Sequence, residues 1–243
     1  MNVAIMQPYF FPYLGYYQLA AAVDQWIFYD DVMYMKGGYI NRNFILLNGK
    51  PHRFTIPVQD QSSFRAINAH EAILPFDKIA NNIRNAYRKA PNYAQVMPLI
   101  EEVISGGVTN IAELAEMSIV KVMNYLGRYF SHQRSSSLKA SNVLKSQDRV
   151  LAICSTVAAT KYINPIGGVS LYKETDFIAR EIQLRFHRMD QVQYSQNGVT
   201  EFVPNLSMID VLMYCSISLV NDLLTQYAWI NPLEATASEI RRT

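Results

Sequence analysis

The first apolar run of the chain ends at Gln7-Pro8-Tyr9, and the second ends at Asp30-Asp31. Neighbouring parallel strands border a ligand crevice at their C-terminal ends. That rule puts Gln7 and the two acids near one another, with a helix start around Pro12 to Gly15 between them. A helix N-terminus offers free N–H groups and partial positive charge, which suits phosphate or carboxylate. Gly15, followed by Tyr16, lets backbone come close to a ligand or a strand. The plainer alternative is that the prolines and Gly15 shape a tight turn. Asp30 and Asp31 have the chemistry to bind a divalent metal beside phosphates or to act as a base. Successive strand residues point to opposite faces, so at most one should enter the crevice. The alternative has one capping a turn and the other solvated.

Two loops hold further donors. Tyr34 to Asn43 carries Lys36, Tyr39, Asn41, Arg42 and Asn43 around Gly37-Gly38. Lys36 and Arg42 can clamp phosphate or carboxylate, Arg bidentately. Seven of the sixteen tyrosines lie in the first 39 residues, and such rings can stack on a base or sugar or simply fill core. Asn164-Pro-Ile-Gly167-Gly168-Val-Ser-Leu-Tyr172 follows a short apolar run, and two glycines there can present N–H groups to an anion or form a plain turn. His52, His70, His132 and His187 share no metal-ligand spacing; His187, at a strand end, is the best-placed acid or base among them. No metal site is expected.

Composition bounds the rest. The 243 residues are 50% hydrophobic and 17% charged, which excludes wholesale disorder. A net charge of +2 lacks the dense basic face of a nucleic-acid binder. Two distant cysteines, Cys154 and Cys215, read as buried hydrophobes and fit a reducing cytoplasm. Residues 2–23 carry no charge, but Gln7, Pro8 and Pro12 interrupt them and no basic segment precedes, so a secretory signal is not expected. No run of about twenty clean apolar residues predicts a membrane span. There is no GxGxxG, GxxxxGK[ST], GxSxG or HExxH.

The elements that must position these residues follow from patterning. Asn2–Met6, a helix opened by Pro12, and Trp26–Tyr29 form a βαβ unit, whose crossover should be right-handed. Asn48-Gly49 between apolar runs predicts a β-hairpin. Helical spacing appears after Pro75, over 96–104, after Asn110, and over 148–159. Ser131 to Ser137 reads as an exposed loop or linker. Strands are predicted at 161–165 and 183–187, with a helix at 175–181 between them. Two apolar helices then run from a Ser207/Asp210 capping box to about Tyr227, and the polar tail after Pro232 should fray. The fold class predicted is α/β: an N-terminal βαβ with a mainly parallel sheet plus a β-hairpin, and a largely helical C-terminal half. The division expected is an α/β region over 1–130 and a mainly helical lobe over 131–243. One or two strands of that lobe should join the same sheet; the alternative is a single domain.

The segment Gln7-Pro-Tyr-Phe-Phe-Pro12-Tyr-Leu-Gly15-Tyr16, with Asp24, Asp30-Asp31-Val32 and Asn41-Arg42-Asn43, resembles the opening of the WbqC-like family. The likeness continues through Ile56-Pro-Val58, Tyr87–Pro91, Tyr162–Tyr172 and Leu206–Asp210. Members resemble proteins of bacterial O-antigen and other surface-polysaccharide gene clusters, and some are labelled glycine transferases. The resemblance implies a cytoplasmic transferase moving a glycyl or other small acyl group onto the amine of a nucleotide-linked amino sugar. Its partners would be that sugar and a small acyl or amino-acid donor. Neither nucleic acid nor a membrane span is implied. Motif membership and position give Asp30, Asp31, Arg42 and His187 as catalytic candidates. Gln7, Pro8, Tyr9, Gly15, Tyr16, Lys36, Asn41, Asn43, Asn164, Gly167, Gly168 and Tyr172 are the substrate-binding candidates.

Amide formation needs an activated donor. The β1–loop–helix arrangement resembles nucleotidylyl-transfer folds, although Tyr16 stands where those folds carry His. The picture it offers is ATP with magnesium near Gln7, Gly15 and Asp30 or Asp31, with Lys36 and Arg42 neutralising charge. A thioester or aminoacyl-tRNA is the alternative donor. Two other readings stay open: another nucleotide- or sugar-nucleotide-dependent transferase, and a non-catalytic partner in polysaccharide synthesis.

Overall fold

The computed structural model describes residues 1–140 and 143–235. Asn2–Met6 forms β1, Leu14–Ala21 forms α1, and Gln25–Phe28 forms β2, which lies parallel to β1 with Met6 opposite Phe28. The hairpin strands are β3, Arg42–Leu47, and β4, Lys50–Thr55. Asn48 and Gly49 both take positive φ, 52° and 72°, as a two-residue turn of this type requires. A Cβ on Gly49 would also lie 2.5 Å from the Gly198 carbonyl oxygen. Gly49→Ala should therefore cost about 1–2 kcal/mol from strain and a lost close approach, read as a lower urea midpoint at unchanged slope.

Three helices follow: α2, Asp77–Tyr87; α3, Tyr93–Ser105; and α4, Ile111–Tyr125. Asn110 caps α4 by accepting from the N–H groups of Ala112 and Glu113. Glu113 turns to pair with Arg134 at 2.7 Å.

The serine-rich segment is not a linker. His132–Arg134 is β5, parallel to β2 at the sheet edge, and Ser135–Ser137 is a 3₁₀ turn in which Ser135 is buried. Its polarity misleads because the side chains bind carboxylates instead of apolar core: Arg134 holds Glu113 and Glu116, and Ser135 reaches Asp30 and Asp31.

The chain continues through α5, Ser146–Thr156, to β6, Lys161–Pro165. Then come α6, Glu174–Ile178, and β7, Gln183–Met189. Two short helices, α7, Met208–Tyr214, and α8, Ile217–Leu223, lead to β8, Tyr227–Ile230, an antiparallel edge strand that the apolar helical pattern before it hides. The frayed tail expected after Pro232 falls mostly outside the described residues. Both cysteines are buried, and burial pushes the thiols of Cys154 and Cys215 up to about 12 and 11. Among the described residues, no helix is long and apolar enough to cross a membrane.

The fold is mixed α/β, with a mostly parallel six-stranded sheet and a separate hairpin. The sheet order is β5-β2-β1-β6-β7-β8. From β1 the chain steps through α1 to β2 on one side. From β5 it crosses through α5 to β6 on the other side. The order therefore reverses between β1 and β6, the place where open α/β sheets form a crevice. Alternation sorts the strand side chains into two cores. Ala4, Trp26 and Phe28 pack with α1, the hairpin and α2–α4, whereas Val3, Ile5 and Ile27 pack with Leu151 and Cys154 of α5. α1 is apolar on every side because sheet and surrounding helices enclose it; Leu14 to Ala20 are all buried.

Candidate functional site

The turn between β1 and α1 is strained and firmly held. Phe11 adopts φ 42°, uncommon for a bulky residue. Its N–H donates to Ser118 Oγ at 2.9 Å. Its carbonyl accepts from Asn43 Nδ2 at 2.6 Å and from Ser207 Oγ at 2.7 Å. Three elements distant in sequence thus fix one peptide. Such a conformation costs about 1–3 kcal/mol and persists only when its surroundings over-determine it. The turn also fixes what lies beside it: Tyr9, Pro12 and Tyr13 line a cleft of about 290 Å³ with Tyr39, Asn43 and Asn205.

This cleft is aromatic and amidic. The Tyr9 and Tyr39 rings lie 6.4 Å apart. Burial raises the Tyr9 and Tyr13 hydroxyls above their ordinary pKa, so both stay protonated and neutral at physiological pH. Gly15 serves the cleft from below. A Cβ there would sit 2.5 Å from Cε2 of the Tyr13 ring, so glycine lets that ring lie against the helix. Gly15→Ala should displace Tyr13 and weaken ligand binding about tenfold. The melting temperature should stay within a few degrees, because the added methyl suits a helix.

Gln7, Pro8 and Tyr16 support the turn. Tyr16, buried, donates its hydroxyl to the Gln7 carbonyl at 2.9 Å, and Pro8 is buried beside it. Asn41 donates to the Ile56 carbonyl at 2.7 Å. Arg42 lies beneath the loop, where a Cβ on Gly37 would come 3.6 Å from a guanidinium nitrogen. Its Nε is buried and has no hydrogen-bond partner. Among the described residues, Arg42 forms no ion pair; Lys36 is exposed.

The two acids lie past the end of β2 in a turn and share the Ser135 hydroxyl, so strand alternation is not what separates their roles. Asp30 is buried and saturated: Oδ1 accepts from Ser135 Oγ and the Ser136 N–H, and Oδ2 from Ser136 Oγ and Asn68 Nδ2, at 2.6–3.1 Å. Asp31 accepts from Ser135 Oγ and pairs with Arg149 at 2.6 Å. Asp30 is left with no open oxygen, Asp31 is tied to Ser135 and Arg149, and no group of three or more metal-binding side chains exists among the described residues. The donor set does not fit the metal that the nucleotidylyl-transfer likeness implies.

Asp31 opens into a different cleft, of about 360 Å³, with Tyr29, Met33, Lys145, Ser146 and Arg149 on its walls. Tyr29 packs with the α5 core and Tyr9 with the α1 core, so the two clefts occupy opposite faces at the carboxyl edge of the sheet. The Asn164–Tyr172 loop belongs to the α5 side. Asn164 accepts from Tyr162 Oη at 3.1 Å and donates to the Pro165 carbonyl at 3.0 Å. Gly168 makes room for that amide, since a Cβ there would meet Nδ2 at 2.0 Å, whereas Gly167 faces open space. Tyr172 bonds Tyr162 at 2.9 Å.

His187 stands apart from both clefts. It is buried under the α1 face against Tyr227 and Trp229, with Nε2 unpartnered. Burial lowers its pKa to about 4. The unfolded imidazole takes up its proton near pH 6.5, so the folded state binds fewer protons between these values and stability falls as pH drops through them. A loss of about 3 kcal/mol between pH 6.5 and 4 should be much reduced in His187→Gln, measured by urea melts across that range.

Sequence reasoning missed Tyr13, Asn205, Lys145 and Arg149. Only Tyr13 carried a local signal, its place between Pro12 and Gly15; the other three gain their place from contacts remote in sequence.

Comparison with known proteins places this architecture. The sequence profile of the WbqC-like protein family matches residues 7–222. The chain belongs to the WbqC-like family. The matched span takes in the β1–α1 turn, both acids, Arg42 and Arg149, so every wall of the two clefts is family sequence. The uncharacterised protein Rv1507c of Mycobacterium tuberculosis is 26% identical over 224 residues, covering 87% of this WbqC-like chain and 92% of its own. No solved structure matches.

Proposed function

We propose that this WbqC-like protein transfers a glycyl or other small acyl group onto the amine of a nucleotide-linked amino sugar for surface-polysaccharide assembly. The observation that carries the reading is the tyrosine-lined cleft beside the strained β1–α1 turn at the reversal of the sheet. Aromatic faces suit the apolar faces of a sugar ring or base, and Asn43 and Asn205 supply amides to its hydroxyls. Arg42 lies outside the lining of the cleft, beside Gly37 on the neighbouring loop, and pairs with no carboxylate among the described residues; it is assigned as the anchor for the diphosphate that extends from the cleft. In the transfer, the neutral amine attacks the acyl carbon, a C–N bond forms, the donor's leaving group departs with its bonding electrons, and the amine proton passes to a base.

A second reading is a non-catalytic binder of the same sugar. It is favoured by one feature: the described residues that line the cleft include no carboxylate or histidine to take that proton. Incubating the protein with UDP- and dTDP-linked amino sugars and activated glycine (a thioester, or glycine with ATP and magnesium) separates the two. Transfer yields a product heavier by one glycyl residue in mass spectrometry. Sugar binding with no such product would leave the binder reading in its place.

A further inference from the structure

Two loops beyond the carboxyl end of β2 present apolar side chains to solvent. Met33 pairs with Ala66 in an antiparallel bridge, and the Tyr34 N–H donates to the Arg65 carbonyl at 2.9 Å. Tyr34 turns inward against the His70 ring, so Met33 and Met35 on either side of it turn outward. Continuing the same register places Phe64 opposite Met35. Phe64 is 91% exposed, and Met33, Met35 and Tyr39 are each more than half exposed. A single exposed apolar side chain is ordinary, but four on two paired loops make a patch.

The patch sits in the most basic part of the chain. Residues 32–66 hold five Lys and Arg and one Asp, an excess of four, whereas the whole chain carries a net charge of only +2. Lys36, at the tip of one loop, and Arg65, next to Phe64 on the other, are both exposed. Among the described residues neither forms an ion pair. The Arg65 guanidinium donates to the Asp60 backbone carbonyl, which steadies it beside Phe64. Asp60 is the one acid of the two loops, and Asp31, just before them, is tied to Ser135 and Arg149. Lys50 and Arg53, on the hairpin that continues the first loop, are exposed as well.

We propose that these loops dock on an anionic lipid surface, with Phe64, Met33 and Met35 inserted among the headgroups and Lys36 and Arg65 against the lipid phosphates. Apolar insertion and attraction of cations to anionic lipid are the two components of peripheral membrane binding, and both are present here in one patch. A nucleic acid would engage the charge and leave the apolar side chains in water. An apolar protein face would leave the cations unanswered. Docking brings Tyr39, a wall of the aromatic cleft, to the bilayer surface. The argument rests on the two loops and not on sugar acylation.

The test is flotation of the full chain with vesicles of phosphatidylglycerol and phosphatidylethanolamine, beside vesicles of phosphatidylcholine alone, at low and at physiological salt. Binding to the anionic vesicles is expected, weaker as salt rises and far weaker on phosphatidylcholine. Phe64→Ser should weaken it about tenfold. Lys36→Ala should weaken it about fivefold. Both side chains stand in solvent, so the melting temperature of each variant should be unchanged. Tyr129→Ser removes a side chain 93% exposed at the opposite, amino-terminal end of the sheet and should leave binding as it was. Each of four results would overturn the proposal: no binding to anionic vesicles, equal binding to phosphatidylcholine, losses in the Phe64 and Lys36 variants no greater than in the Tyr129 variant, or binding to polyglutamate with none to vesicles. The last would give the loops to an acidic protein. Failure of sugar acylation leaves the flotation result untouched, so the two proposals fail separately.

Discussion

Asp210→Ala should lower the melting temperature by about 6–12 °C, the largest stability loss expected from a single polar side chain here. Asp210 is fully buried and has no cation partner among the described residues. It accepts from Tyr87 Oη and Tyr194 Oη, both at 2.7 Å, and from Gln196 Nε2 at 3.2 Å. Burial raises its pKa, while the three donors pull it back toward ionisation. Removing the carboxylate strands donors from α2 and from the segment 190–206 in a place water does not reach. Each orphaned group costs about 1–3 kcal/mol, so a total near 3 kcal/mol is conservative. A chain of this size loses about 2–4 °C per kcal/mol. Asp210→Asn, which keeps the shape and one acceptor, should lose less than half as much. Thermal unfolding of both variants by circular dichroism checks the order. The hub also explains a capping box that forms only in part: Ser207 accepts from the Ile209 N–H at 3.3 Å, but the Asp210 side chain is committed to the tyrosines.

Arg42→Ala should reduce kcat/KM for sugar acylation about a hundredfold, with stability unchanged or slightly improved. The two halves of that prediction come from one observation. The Arg42 Nε is buried without a partner, so its desolvation is not offset within the protein. Removing the side chain relieves that cost. If the group exists to meet a diphosphate, the same change removes a charge-assisted contact worth about 3 kcal/mol, a hundredfold in rate constant. Arg42→Lys keeps the charge without the fork and should fall between. A structural role for Arg42 predicts the opposite pairing: lower stability, with activity reduced only as far as unfolding dictates. Steady-state kinetics beside a urea melt separates the two.

Much of the fold was legible because it rests on local signals. Uninterrupted apolar runs at 3–6 and 26–29 mark strands covered on both faces, and Asn48-Gly49 marks the hairpin. The edge strands were not. β5 reads His-Gln-Arg because its side chains answer Glu113, Glu116 and the Phe130 ring, none of which lies in the strand itself. β8 spans four residues and ends at Asn231-Pro232, too short to carry a period. The site was legible in the same proportion. Alternation was the wrong guide to Asp30 and Asp31, which lie in a turn past β2 and share the Ser135 hydroxyl. No local pattern reveals that Asn43 and Ser207, 164 positions apart on the chain, both donate to the carbonyl of Phe11, or that Arg149 reaches Asp31 across 118. At Gly15 the cause differs from the one expected: its missing Cβ admits the Tyr13 ring, not a ligand or a strand.

Calorimetric titration of a UDP-linked amino sugar into the unaltered chain and into Tyr39→Ala tests the central claim most directly. Tyr39 is exposed, and its ring forms one wall of the aromatic cleft, so its removal should leave folding intact. The account predicts saturable binding by the unaltered chain and affinity lower by about tenfold or more in the variant, the worth of one stacked ring. Equal affinity in the two proteins would contradict it, as would the absence of binding by the unaltered chain to every nucleotide-linked amino sugar tried.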